Sequence, residues 1–203
     1  MTDSPLIGNY PDEPFHAAVD PDVNIAAMLL QRTTGLDLES EHGSETPKRF
    51  VKMLKEMTTR DPEFKFTTFD NTEKVDEMVV LTNVDFYTFC NHHVVPFFGV
   101  AHVAYIPDKS IVGLSKLGRT VTHLCKGLWV QEHLTVAIAE YIEGHLSPIG
   151  VGVVLEAEHL CMTMRGAKLP GTITTTAAMR GVFADHSRTA KAEFMSHIER
   201  HKR

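Results

Sequence analysis

A chain of 203 residues, 43% of them hydrophobic, can bury one sizeable core but not two large domains. Its formal net charge of -6, without a Lys/Arg-rich run, argues against a nucleic-acid-binding module. No apolar run approaches the roughly 20 residues that span a bilayer, and residues 1–16 lack a basic start followed by an apolar stretch, so a soluble cytoplasmic protein is expected.

Asp20 and Pro21 open a first helix that ends near Gly35, and a polar connection runs from Leu36 to Glu45. Thr46 and Pro47 open a second helix carrying Phe50, Val51 and Leu54. A strand rich in Val, Thr, Phe and Tyr then runs from Met78 to Phe89, and another from Gly99 to Ile106. Pro107 to Ser110 reads as a hairpin turn into a strand from Ile111 to Leu114. Leu117, Val121, Leu124 and Leu128 recur at helical spacing, with Ser115 placed to cap that helix, and a further helix follows after a break near Gly127. Val151, Val153, Leu155 and Ala157 alternate with Glu156 and Glu158 as in a half-buried strand; His159 and Cys161 continue its inward phase, and Arg165 shares it if the strand continues. Thr172 to Thr176 is β-rich, and a helix from Thr189 to Arg200 carries Phe194 and Ile198. The fold class is α+β, with residues 1–58 as an N-terminal helical region and 59–203 as the catalytic domain.

Chemistry concentrates at two strand ends. Three cysteines do not form an even disulfide set, and a reducing cytosol keeps thiols available for metal. Cys90 lies where a strand gives out, with His93 three residues on, and Cys161 follows His159 at the end of the later strand. Cys90, His93 and Cys161 make a three-ligand set that leaves a fourth tetrahedral position for water, as catalytic zinc requires. His92 and His159 are then spare imidazoles for proton transfer; recruiting either as a fourth ligand would instead close a structural zinc site. Cys125 has no partner at ligand spacing and reads as a small buried apolar residue.

These residues fall within an ordered series: Cys90-x-His92-His93-x-x-Pro96-Phe97-Phe98-Gly99, Ala104 to Pro107, Gly113 to Lys116, Val130-Gln131-Glu132, Glu158 to Met162 and Met164-Arg165-Gly166. The series resembles GTP cyclohydrolase I, from about Val23 to Ile198. The resemblance implies the tunnelling fold, an antiparallel sheet with helices on one face preceded by N-terminal helices, and a ring-shaped homodecamer with sites at subunit interfaces. It implies conversion of GTP and water to 7,8-dihydroneopterin triphosphate and formate with Zn2+, with His92 and His159 as catalytic groups. Asn91 stands where an acidic residue is common in that family, His133 where arginine is usual, and Trp129 in an unusual place. Rival readings are another tunnelling-fold purine, pterin or deazapurine enzyme, and a zinc-stabilised binding module.

GTP carries about four negative charges, so an acidic chain needs a local basic cluster to hold it. No P-loop motif is present. The resemblance places Ser115, Lys116, Arg119 and Arg165 around the phosphates, with Arg49 and Lys52 on the second helix as further phosphate-side positions. It makes Glu132 the guanine anchor, since one carboxylate can accept from both the ring N–H and the exocyclic amine. Gln131 beside it is expected on the substrate side.

Overall fold

The computed structural model describes residues 20–185 and 189–201, and the chain divides between Glu56 and Met57 into two compact units. In the first unit, helix α1 (Pro21–Thr34) begins where the Asp20 carboxylate accepts the Asp22 N–H at 3.0 Å and ends where the Gly35 N–H bonds the Gln31 carbonyl. Helix α2 (Thr46–Thr58) starts at the expected Thr46, and its Lys55 ammonium lies 2.8 Å from Asp22 and 3.5 Å from Asp20. Those carboxylates raise the Lys55 pKa, the Asp22 hydrogen bond foremost.

The second unit is built on a five-stranded sheet. Its strands are β2 (Val79–Cys90), β3 (Pro96–Ile106), β5 (Leu128–Trp129), β6 (Gly150–His159) and β7 (Ile173–Gly181), in the order β5-β2-β3-β6-β7. From β2 to β7 all neighbours are antiparallel, while β5 runs parallel to β2. Helices α3 (Leu114–Leu124) and α4 (Gln131–Leu146) cover one face, as the tunnelling fold implies. Their Leu117, Val121, Leu134 and Ile138 meet Val103, Tyr105, Val151, Val153 and Leu155 in the main core. Full burial of each such side chain contributes about 1.5–3 kcal/mol, so the sheet and two helices hold one another. A smaller cluster on the opposite face seats helix α6 (Ala190–Arg200), with Phe194 and Ile198 against Ala104, Val154 and Phe183. The N-terminal half of β6 is therefore buried on both faces, and only from Glu156 onward does its burial alternate.

Several local expectations are corrected. The short strand β4 (Ser110–Val112) pairs not with β3 but with β1 (Thr68–Asp70), which periodicity did not reveal. Asn71 fixes that ribbon: its backbone N–H bonds the Lys109 carbonyl and its side-chain amide bonds the Asp108 carbonyl. Ser115 does not cap α3; it lies inside the first turn, and Gly113 occupies the cap position without a side-chain bond. Leu128 has left the helix and belongs to β5. Strand β6 ends at His159, and Cys161 lies in the short helix α5 (Leu160–Thr163), so neither Cys161 nor Arg165 continues a strand phase.

Close packing leaves no room at Gly99, where a Cβ would collide with the Glu156 carbonyl oxygen of the neighbouring strand. Gly99→Ala is expected to destabilise the fold by about 3 kcal/mol through overpacking, read as a lower midpoint in chemical denaturation. An unchanged midpoint would contradict the β3–β6 register.

Candidate active site

The sheet register brings two strand ends together. Phe97 of β3 pairs with Thr88 of β2 on one side and His159 of β6 on the other, so the ends of β2 and β6 flank the start of β3. After Cys90 the chain reverses at once: the Cys90 N–H bonds the Val95 carbonyl, and the Val94 N–H bonds the Cys90 carbonyl, each at 2.9 Å. Val94 adopts φ 51, a left-handed conformation that costs a β-branched residue about 1–3 kcal/mol. The turn sustains that strain while folding His93 back over Cys90. On the other side β6 gives way to α5, closed by a bond from the Met164 N–H to the Leu160 carbonyl, which carries Cys161 toward Cys90.

The ligand atoms of Cys90, His93 and Cys161 consequently lie within 4.8 Å of one another, a group that could hold a metal ion. Burial pushes the Cys161 thiol pKa up, and the neighbouring Cys90 thiol adds to the rise, while the positive charge of Arg165 opposes it. Arg165 itself follows α5 rather than standing on a strand face. His92 is exposed on the same turn, its Nδ1 3.7 Å from the Cys90 sulfur and its ring 6.3 Å from that of His93.

His159 is held on two sides. Its ring stacks on Phe97 at 4.5 Å and 5°, and its Nε2 lies 2.6 Å from Gln131 Oε1. Gln131, at the start of α4 and only 2% exposed, donates its amide to the carbonyls of Leu155 and Thr174 and to Thr176 Oγ1. That donor end requires the Gln131 oxygen to face the imidazole, so His159 Nε2 carries the proton and donates it. Burial lowers the His159 pKa, and the nearby charge of Glu132 partly opposes this. Glu132 itself is exposed in the first turn of α4.

The structure therefore gathers Cys90, His92, His93, Gln131, Glu132, His159 and Cys161 at one end of the sheet. Ser115, Lys116 and Arg119 are carried by a different element, the first turns of α3, where the Lys116 ammonium lies 5.8 Å from the Phe64 ring centroid. Arg49 and Lys52 are exposed on α2 in the first unit, and Lys52 lies 3.8 Å from Glu56. Cys125 is buried inside the core, and burial pushes its thiol up to about 12, which suits an inert apolar residue. Two features escape sequence reasoning: the Phe97 platform under His159 and the commitment of the Gln131 amide to the protein. Only the aromatic pair after Pro96 hints at the first, and nothing local signals the second.

Comparison with known proteins identifies the family. A family model described as GTP cyclohydrolase I matches residues 24–199. A GTP cyclohydrolase 1 of Hydrogenobaculum sp. (strain Y04AAS1) is 46% identical over 170 residues, covering 84% of this chain and 92% of that protein. The GTP cyclohydrolase 1 of Sulfurihydrogenibium sp. (strain YO3AOP1) is 46% identical over 178 residues, covering 88% and 94%. That of Aquifex aeolicus (strain VF5) is 44% identical over 183 residues, covering 90% and 98%. With a matching model over most of its length and relatives aligned nearly end to end, the chain belongs to the GTP cyclohydrolase I family.

Proposed function

We propose that this enzyme hydrolyses the imidazole ring of GTP and rearranges the ribose, giving 7,8-dihydroneopterin triphosphate and formate, with zinc held by Cys90, His93 and Cys161. The observation that carries the reading is the convergence of those three donors within 4.8 Å beside an imidazole fixed by Gln131 and Phe97. Two thiols and an imidazole are a soft donor set that suits zinc better than magnesium or manganese. Zinc bonds of about 2.3 Å to sulfur and about 2.0–2.1 Å to nitrogen fit donors so close, and three protein ligands leave a position open. When bound there, zinc supplies the Lewis acidity that makes water a nucleophile near neutral pH.

The chain's own residues supply the rest. With Nε2–H donated to Gln131, Nδ1 is the His159 atom left to exchange protons. It takes a proton from the water attacking C8 and returns it to the ring nitrogen as the C8–N bond breaks. A second water releases C8 as formate. His92, exposed beside the same group, serves as acid and base while the ribose opens, isomerises and closes on the pyrimidine amine. Glu132 accepts the guanine ring N–H and amine together, which adenine cannot offer. Ser115, Lys116, Arg119 and Arg165 take the triphosphate.

The working form is a homodecamer with sites at subunit interfaces. Support comes from the family resemblance and from β7, an edge strand of the sheet that suits joining to another copy. The three free cysteines suit a reducing cytoplasm, and among the described residues no helix is long and apolar enough to cross a membrane.

Gln131→Met keeps the volume but removes the amide, freeing the His159 ring to turn. A loss in kcat on the order of 10²-fold is expected from such misplacement, with zinc content unchanged; a wild-type kcat would remove Gln131 from the mechanism. The reading as a whole is tested by incubating zinc-replete protein with GTP and following formate and pterin absorbance together. Both products are expected. Formate without pterin would overturn the ribose rearrangement, and neither product from a folded, zinc-loaded oligomer would overturn the reaction.

A further inference from the structure

Strand β5 is only two residues long, yet it joins the parts of the site. Its parallel pairing sets Leu128 against Phe89 and Trp129 against Cys90, and the Asn91 N–H bonds the Trp129 carbonyl at 2.9 Å. Immediately after it, α4 begins with Gln131 and Glu132. The metal turn on one side and the His159 and guanine contacts on the other therefore both hang on the placement of this dipeptide. Two bridged residues of parallel strand are a weak register constraint, since parallel pairing gains little per residue and nothing in so short a run prevents slippage.

The Trp129 side chain supplies what the backbone lacks. Its indole N–H donates to the Leu124 carbonyl at 2.9 Å, tying β5 to the last turn of α3. The Arg60 guanidinium lies over the ring, 5.4 Å from its centroid, while Arg60 Nε donates to the Lys126 carbonyl at 3.2 Å and Nη2 to the Leu124 carbonyl at 3.5 Å. The cation thus meets the carbonyl-rich end of α3 and the indole face at once. Gly127 lies against the indole, where a Cβ would come within 3.1 Å of Nε1, and the Gly127 carbonyl accepts from Thr88 Oγ1 on β2 at 3.3 Å. Ring, guanidinium and glycine together lock the segment from Leu124 to Trp129.

We propose that Trp129, clamped by Arg60 and the Leu124 carbonyl, is a positioning residue that sets the metal group and the Gln131–Glu132 pair through one strand. The inference deepens the zinc and GTP reading and rests on it for its metal readout. Its contacts are with the protein, and it acts through Cys90 and through the start of α4.

The test compares Trp129→Leu, Trp129→Phe and Arg60→Gln with Phe194→Leu, which weakens the separate core under α6 and controls for lost stability. Zinc affinity is read by competition with a chromophoric chelator, and GTP affinity by equilibrium dialysis. Trp129→Leu is expected to weaken zinc binding by about tenfold or more, in the range typical of lost supporting contacts around a metal, and to weaken GTP together with it. Trp129→Phe and Arg60→Gln should fall between it and the wild type, while Phe194→Leu keeps wild-type affinities despite a lower melting point. Because Trp129 is the single tryptophan, zinc added to metal-free wild type should also change the protein's emission. Affinities of Trp129→Leu equal to those of Phe194→Leu would overturn the proposal. Should the wild type bind no zinc, the metal reading fails separately, and GTP affinity still decides: unchanged binding in Trp129→Leu overturns the positioning role, and weakened binding supports it.

Discussion

Cys161→Ser is expected to strip the metal and abolish formate release from GTP while leaving the fold intact. A serine hydroxyl stays protonated where a thiolate coordinates, so two protein donors would remain. Structural zinc sites with four ligands bind with about 10–16 kcal/mol, or roughly 3–4 kcal/mol per ligand. Losing one should therefore weaken affinity by roughly 10²–10³-fold, enough for dialysis against a chelator to empty the site. The fold should survive because the donors sit at the open ends of β2 and β6. The core made by Leu117, Ile138, Val153 and Leu155, which Cys90 joins and Cys161 packs against, is apolar and is expected to form without an ion. Metal content of the dialysed variant and its far-ultraviolet circular dichroism check both halves. Retained zinc at one per chain would remove Cys161 from the ligand set, and unfolding of the metal-free protein would make the metal structural.

The second large effect belongs to His159. His159→Ala should lower formate release by about 10²–10⁴-fold, the usual contribution of a positioned acid–base group, with zinc still bound. The loss separates proton transfer from metal binding, because the ring contacts Phe97 and Gln131 and supplies none of the three proposed ligand atoms. His92→Ala is expected to behave differently, releasing formate but failing to form the pterin, since its assigned work begins after the ring has opened. Formate release and pterin absorbance measured on the same samples distinguish the two histidines. Full formate release by the His159 variant would contradict the role given to its Nδ1.

Local chemistry is legible in this sequence wherever the chain stays local. Cys90 and His93 can be read from a strand end and a three-residue spacing because the turn between them is built by adjacent residues. The strand up to His159 is legible for the same reason, although its burial alternates only from Glu156 onward. Cys161 reaches the expected neighbourhood by a route that periodicity misplaces: alternation cannot show where a strand stops, and α5 replaces the strand phase from Leu160, one residue before Cys161. The same failure misplaces Arg165, although its charge still acts on the Cys161 thiol.

Features set by distant partners are much less visible. Gln131 reads as a polar residue at a helix start, and its burial depends on carbonyls of Leu155 and Thr174 from two strands that come later in the chain. Ser115 has the composition of a helix cap, but α3 starts one residue earlier and removes it from that position. The pairing of β4 with β1 joins segments some forty residues apart through short runs with little periodic signal. Placement of α6 on the opposite face is equally hidden, because Phe194 and Ile198 mark an apolar stripe without naming the sheet face it covers.

The most direct test of the central claim is a zinc titration of metal-free protein in the presence of saturating GTP, with formate measured at each addition. Activity should rise in proportion to bound metal and break at one zinc per chain, and the break should disappear in Cys161→Ser. Full formate release before any zinc is added, or activity that ignores zinc bound by Cys90, His93 and Cys161, would contradict the account.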